Sequence, residues 1–365
     1  MMILATAAVA LVNVFVSGQD GFHTYRIPSV VVAKSGAVLT FAEARKTRTD
    51  QAENKIVLKR STDGGATWGA MQIIADAGKS SLNNPCAIVE QQTGRVLLMY
   101  QSYPAGVHEF KKTTATGCQG PNVVRSFLIT SDDDGKTWSA PRDVTCAVKS
   151  DYATTIASGP GIGIQLTRGK HAGRLLMPFN EGPPGKWNVY AAFSDDRGET
   201  WKMGGRPPGS LVVNDKGNTN SLVNEVQMVE LADGSVMLNS RSGGGHRLRK
   251  VAGSADGGAT WSKIEDDAGL REPRCMASVL RYTFDKSVIL FSNPDASERN
   301  NGTIRASFDE GKTWPVKQVL EPGKFAYSCL TKLPDGQIGC LYETGEKDAY
   351  ERIVFARFPL TWLTK

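Results

Sequence analysis

One octapeptide recurs five times along the chain, and its spacing limits the fold more than any other feature. The pattern Ser-x-Asp-x-Gly-x-Thr-Trp reads STDGGATW at 61–68, SDDDGKTW at 131–138, SDDRGETW at 194–201, SADGGATW at 254–261 and SFDEGKTW at 307–314. Successive copies begin 70, 63, 60 and 53 residues apart, and they hold five of the seven tryptophans. Recurrence this regular means internal repetition. The chemistry is that of a tight β-turn. Ser and Asp side chains bond nearby backbone groups, Gly takes a conformation other residues resist, and Trp anchors the turn by burying a large ring. Apolar, β-branched runs lead into several copies: IVLKR before the first, SFLIT before the second, NVYAAF before the third. These read as strands, so each copy caps a hairpin.

A repeat of about sixty residues with several short strands is one blade of a propeller. The expected fold is therefore all-β: a six-bladed β-propeller of four-stranded antiparallel blades, five with the octapeptide and one without. The run RIVFARF at 352–358 is expected to close the ring beside an N-terminal strand. The octapeptides are scaffold, and function is expected in the long loops gathered on one face.

Composition narrows the class. The 365 residues hold 38 glycines and 17 prolines, which favours many turns over long helices. A net charge of +6 suits solubility and an anionic ligand. The Lys and Arg residues are scattered, with no basic run interleaved with aromatics, so nucleic acid is not the expected partner. The six cysteines form no CxxC or Cys/His metal spacing, and His23 and the other three histidines have no zinc-like spacing. Buried free thiols are the ordinary reading of such cysteines. Cys118 and Cys146, in polar loop-like sequence on either side of one hairpin, are the pair best placed for a disulfide. The apolar start, MMILATAAVALVNVFVSG, lacks an early Lys or Arg and is too short to span a membrane. Residues 1–11 read either as the remnant of an export signal or as an edge strand, with Val12 to Val16 preferred as strand. Residues 12–365 read as a single propeller domain.

The five octapeptides, known as Asp boxes, with Tyr25-Arg26-Ile27-Pro28 upstream, resemble the sialidase (neuraminidase) family, whose signature is Phe/Tyr-Arg-Ile-Pro. The resemblance runs from about Val12 to the C-terminus. Asp boxes occur in other propellers, so the polar residues between them carry the specificity of the match. A sialic acid bears a carboxylate on its anomeric carbon, and arginine offers planar, bidentate recognition of it. Arg26, Arg241 at the end of NEVQMVELADGSVMLNSR, and Arg299 in SERNNGTIRAS resemble the family's arginine triad. Arg305 is a rival to Arg299, but it falls within the strand entering the fifth box.

A carboxylate nucleophile would be repelled by the substrate's own carboxylate, and a neutral hydroxyl avoids this, which rationalises the family's tyrosine as an exception among glycosidases. Tyr327, in KFAYSCL, matches that nucleophile. A phenol has a pKa of about 10 and needs help; Glu225, in VNEVQ, matches the glutamate that takes its proton. Asp50, in RTDQAENKIVLKRS, lies eleven residues before Ser61, where the family places its acid/base. The loop TDQAEN departs from the common bacterial Ser-Asp-x-Gly-x-Ile-Asp pattern, which makes Glu53 a rival. Arg45, in FAEARK, resembles the arginine on the O4 side of the ring, and Glu343, in CLYETG, the glutamate that orients Arg26. Asn84 and Pro85 resemble the family's Asn-Pro strand start; Tyr103, Phe110 and Ile156 are candidates for the N-acetyl side, where ordinary packing competes for each.

The resemblance implies a retaining exo-α-sialidase acting on sialylated glycoproteins, oligosaccharides and gangliosides, with neither metal nor organic cofactor. Trans-sialidase or anhydro-product chemistry is a near alternative. A non-catalytic sialic-acid-binding propeller is the rival from another class, and a purely structural propeller leaves the arginines unexplained. An extracellular or periplasmic location follows from where such substrates lie.

Overall fold

The computed structural model describes residues 8–111 and 114–364. Four consecutive strands, Thr24–Val32, Val38–Arg45, Lys55–Ser61 and Gln72–Ala75, pair in order as an antiparallel sheet. The plan repeats with Ser81–Val89, Val96–Tyr103, Arg125–Ser131 and Arg142–Asp143, where Gly161–Ile162 adds a short parallel edge. A third sheet comprises Thr155–Ser158, Leu175–Gly182, Asn188–Ser194 and Lys202–Met203, with Ile164–Gln165 beside the second of these; a fourth comprises Val223–Glu230, Val236–Ser242, Leu248–Ser254 and Glu265–Arg271.

The last sheet has seven strands because two units share one long strand, Val316–Lys332. Its first part pairs with Asn300–Ser307, beyond which lie Val288–Pro294 and Ser278–Thr283. Its second part pairs with Ile338–Gly345, then Arg352–Phe358, then the N-terminal strand Ala10–Val16. The expected closure of RIVFARF by an N-terminal strand is therefore present, and that strand starts two residues before Val12. The part of the N-terminal reading that concerns residues 1–7 lies outside the described residues.

Burial explains which runs became which strands. Second strands such as Val38–Arg45 and Ile338–Gly345 are buried at every position, apolar through their first half and carrying buried polar groups such as Glu43, Arg45 and Glu343 near their ends. Fourth strands such as Arg142–Asp143 and Lys202–Met203 are short and exposed. The core lies between sheets. Phe41 and Leu58 of the first sheet meet Leu82 and Tyr100 of the second and Phe355 of the last. Met99 and Leu128 meet Phe179 and Tyr190 of the third. Leu176 meets Met228 and Leu238 of the fourth. Met237 meets Ile289 and Phe291, and Leu290 and Ile304 meet Tyr342 and Phe358.

Each octapeptide turns the chain between the third and fourth strands of a sheet, and all five use one bonding scheme. The Asp accepts from the Ser hydroxyl, the Thr backbone N–H and the Thr hydroxyl, while the Ser hydroxyl accepts from the Gly N–H. That glycine must be glycine. Gly65 has φ +92° and a Cβ there would sit 2.2 Å from the Phe355 ring. Trp201, Trp261 and Trp314 are buried, whereas Trp68 and Trp138 are half-buried and reach back to the preceding sheet, against Phe355 and Phe41. Cys118 and Cys146 form a disulfide, and Cys86, Cys275, Cys329 and Cys340 are free and buried. Among the described residues no helix is long and apolar enough to cross a membrane.

Candidate active site

Four first strands break their pairing register at the same stage: between Arg26 and Ser29, Asn83 and Cys86, Val223 and Val226, and Phe325 and Ser328. A bulge of this kind re-aims side chains that a regular strand would point elsewhere. Arg26, Asn84, Glu225 and Tyr327 lie at these four breaks, and all four line one cavity of about 430 Å³. Two of the breaks carry a proline, Pro28 and Pro85, preceded by a residue in the left-handed region, Ile27 at φ +62° and Asn84 at +53°. A β-branched residue there costs about 1–3 kcal/mol. Each strained N–H is captured by a buried carboxylate of the preceding sheet: Ile27 donates to Glu343 Oε1 at 2.8 Å, and Asn84 to Glu43 Oε1 at 2.7 Å.

Glu343 is fully buried and does more. It accepts from Arg26 Nε at 2.7 Å and from the Tyr327 backbone N–H at 3.2 Å. One carboxylate thus fixes an arginine and a tyrosine from different sheets. The Arg26 guanidinium lies 3.9 Å from the Tyr350 ring centroid and 5.0 Å from that of Tyr327. The Tyr327 hydroxyl donates to Glu225 Oε1 and accepts from Arg241 Nη1 at 2.9 Å, and Arg241 also meets Glu225 Oε2 at 2.7 Å. Burial, with the Glu225 charge, pushes the Tyr327 phenol well above its ordinary range, against the pull of Arg241 and Arg299. A phenol so placed is held in its protonated form, hydrogen-bonded to Glu225. Arg299 donates to the Tyr350 hydroxyl at 2.6 Å and to the Arg274 carbonyl at 3.3 Å, and its guanidinium carbon is 5.2 Å from the Tyr327 ring centroid.

Asp50 enters from the loop between Val38–Arg45 and Lys55–Ser61, with its side chain 53% exposed. Its backbone carbonyl is held by Asn54 and Asn83. Its carboxylate accepts from Arg45 Nη1 at 2.8 Å. Arg45 is 1% exposed and is also gripped by Glu43 at 2.6 Å. Partial burial raises the Asp50 carboxyl, but the charges of Arg45 and Arg26 outweigh it and hold the group below the usual carboxylate range.

The cavity brings together Asp50, Tyr327, Glu225, Arg26, Arg241, Arg299 and Arg45, with Glu343 directly behind Arg26. The rivals go elsewhere. Arg305 pairs with Asp295 at 2.7 Å and does not line the cavity, and Glu53 pairs with Lys46. Of the N-acetyl candidates, Tyr103 and Phe110 line the cavity, as does Asn84 of the Asn-Pro strand start; Ile156 is packed in the core between the second and third sheets. Sequence reasoning missed Glu43, Glu109, Trp187 and Tyr350, all in the lining. Glu43 was readable: it stands two residues before Arg45 on one strand, so both project to the same face. The others arrive on loops with no such periodicity.

Comparison with known proteins places this architecture. Residues 36–340 match the family model described as a BNR repeat-like domain. The chain is 36% identical to a sialidase of Micromonospora viridifaciens across 95% of its own length. It spans only 53% of that protein, about half. It is 32% identical to sialidase-2 of Cricetulus griseus over 94% of both chains. Among solved structures it is similar to the Hadza microbial sialidase Hz136, with a TM-score of 0.84 and 30% identity over 97% of this chain and 69% of that one.

Proposed function

The chain belongs to the sialidase family, and from that premise we propose that it is a retaining exo-α-sialidase that releases terminal sialic acid from glycoproteins, oligosaccharides and gangliosides. The observation that carries this reading is the Tyr327 hydroxyl, which donates to Glu225 and accepts from Arg241 inside a cavity lined by three further arginines that face it or Asp50. We read the four-stranded units as six blades of a propeller. Each sheet packs on the next and the last packs on the first through Phe355, which supports that reading.

Arg26, Arg241 and Arg299 clamp the substrate carboxylate. Arg45 meets the O4 side of the ring and orients Asp50. Tyr327 attacks the anomeric carbon as its proton passes to Glu225, and Asp50 gives a proton to the departing glycosidic oxygen. The arriving substrate carboxylate adds negative charge beside Asp50, which raises a group that Arg45 and Arg26 hold low. Asp50 then takes a proton from water, the water attacks the anomeric carbon, and Tyr327 leaves and recovers its proton from Glu225. Two inversions leave the configuration retained. The Cys118–Cys146 disulfide supports an oxidising location, extracellular or periplasmic.

Release of 4-methylumbelliferone from its α-sialoside tests the reading. No release by the wild-type protein sinks the enzyme. Full activity in Tyr327→Phe sinks only the nucleophile. Supplying lactose and looking for a new sialoside by NMR separates hydrolysis from transfer.

A further inference from the structure

Tyr350 has no place in the mechanism above, yet it touches two of the three arginines assigned to the clamp. It stands on the loop between Ile338–Gly345 and Arg352–Phe358, half-buried in the cavity lining. Its hydroxyl accepts from Arg299 Nη1 at 2.6 Å, and the Arg26 guanidinium carbon lies 3.9 Å from its ring centroid. Arg26 comes from the first sheet, and Arg299 from the turn between Val288–Pro294 and Asn300–Ser307. One ring therefore spaces two side chains that come from different sheets. The loop that presents it is closed on itself and anchored. The Glu351 carboxylate accepts from the backbone N–H groups of Glu346, Lys347 and Asp348, at 2.9, 3.0 and 3.1 Å. Asp348 accepts from the Tyr350 N–H at 3.2 Å, and the Ser17 hydroxyl donates to the Tyr350 carbonyl at 2.8 Å. Asp348 also pairs with Arg48, two residues before Asp50, and the Arg48 guanidinium carbon lies 5.3 Å from the Tyr350 ring centroid.

We propose that Tyr350 is a positioning residue for the carboxylate clamp: its hydroxyl and ring fix Arg299 and Arg26 at the separation that a substrate carboxylate bridges, and leave the charge of Arg299 for that carboxylate. The inference rests on the sialidase reading. The charge balance of the cavity explains why a tyrosine serves here. Glu343 pairs with Arg26, Glu43 and Asp50 with Arg45, and Glu225 with Arg241. Among the described residues, Arg299 and Arg274 are the lining arginines with no carboxylate in ion-pair reach. Arg274 is exposed, so water screens its charge. Arg299 is half-buried and is held by neutral acceptors, the Tyr350 hydroxyl and the Arg274 carbonyl. A neutral acceptor fixes a guanidinium without cancelling its charge, whereas a carboxylate in the same place would oppose an incoming anion. Tyr350 thus acts on binding through the two arginines and takes no part in the bond-breaking step.

The test is calorimetric titration with a non-hydrolysable C-glycoside of sialic acid and with its methyl ester. Tyr350→Phe keeps the ring against Arg26 and removes the acceptor of Arg299; Tyr350→Leu removes both. Tyr350→Phe should bind the acid about tenfold more weakly than wild type, as loss of a hydrogen bond to a charged group does, while the ester, which offers the arginines no charge, should change by less than about twofold. Tyr350→Leu should weaken the acid about fivefold further. In hydrolysis of a sialoside the same loss should appear in KM, with kcat within about twofold, and the urea midpoint of Tyr350→Phe should match wild type. An unchanged acid affinity in Tyr350→Phe overturns the inference, and so does an equal loss for acid and ester, which a general loosening of the loop would cause. Either result leaves the sialidase reading standing. Wild-type protein that binds neither ligand overturns both.

Discussion

Tyr327 and Asp50 face one cavity, but they are held there by different means. Tyr327 sits on a strand at a register break, is 5% exposed, has its backbone N–H fixed by Glu343 and shares its hydroxyl with Glu225 and Arg241. Asp50 sits on a loop with a half-exposed side chain, and its carboxylate is held by Arg45. The contrast suits the work proposed for each. A nucleophile must meet one carbon along one line, so strand geometry and a buried carboxylate suit it. An acid that serves varied leaving groups and then water needs access to solvent.

Variants on the two sides sharpen or break this contrast. On the strand side, Tyr327→Phe should lower kcat by about 10⁴-fold, about 5.5 kcal/mol of barrier, with the urea midpoint unchanged. Glu343→Ala leaves Arg26 buried without its partner and frees two backbone N–H groups; urea unfolding should show a loss of about 4 kcal/mol. On the loop side, Asp50→Asn should lower kcat/KM about a hundredfold for sialyllactose, but less than tenfold for the umbelliferyl sialoside, whose leaving group needs little protonation. Equal losses on both substrates would remove Asp50 as the acid. The scaffold supplies the reference. Ser61→Ala unpairs the Gly65 N–H in the first Asp box and should cost about 1–2 kcal/mol in urea unfolding, with kcat and KM unchanged.

The same contrast explains what could be read from the chain alone. The Asp boxes were legible because each turn closes with its own Ser, Asp, Gly and Thr, so five local solutions repeat one pattern. The nominated arginines, Tyr327 and Glu225 were placed by their resemblance to family motifs, and the fold brings them to one cavity. Pro28 and Pro85, each behind a left-handed residue, mark two of the register breaks, and no rule of alternation foretells that Ile27 adopts that conformation. Glu109, Trp187 and Tyr350 were not legible. Their positions depend on how long loops fold over neighbouring sheets, and a glutamate after His108 or a tyrosine before Glu351 has no spacing that announces a pocket. The sequence favoured Asp50 over its rival Glu53, and the fold separates the two by place: Asp50 lines the cavity beside Arg45, whereas Glu53 lies outside it, paired with Lys46.

The central claim is that the Tyr327 oxygen becomes bonded to the sugar. A fluorinated sialosyl fluoride, which forms the intermediate faster than water can release it, should trap that state on mixing. Peptide mass spectrometry should then find the added sialosyl group on the KFAYSCL peptide, at Tyr327 itself. A label on Asp50 or Glu225, or turnover of the reagent with no label on any residue, would contradict the account.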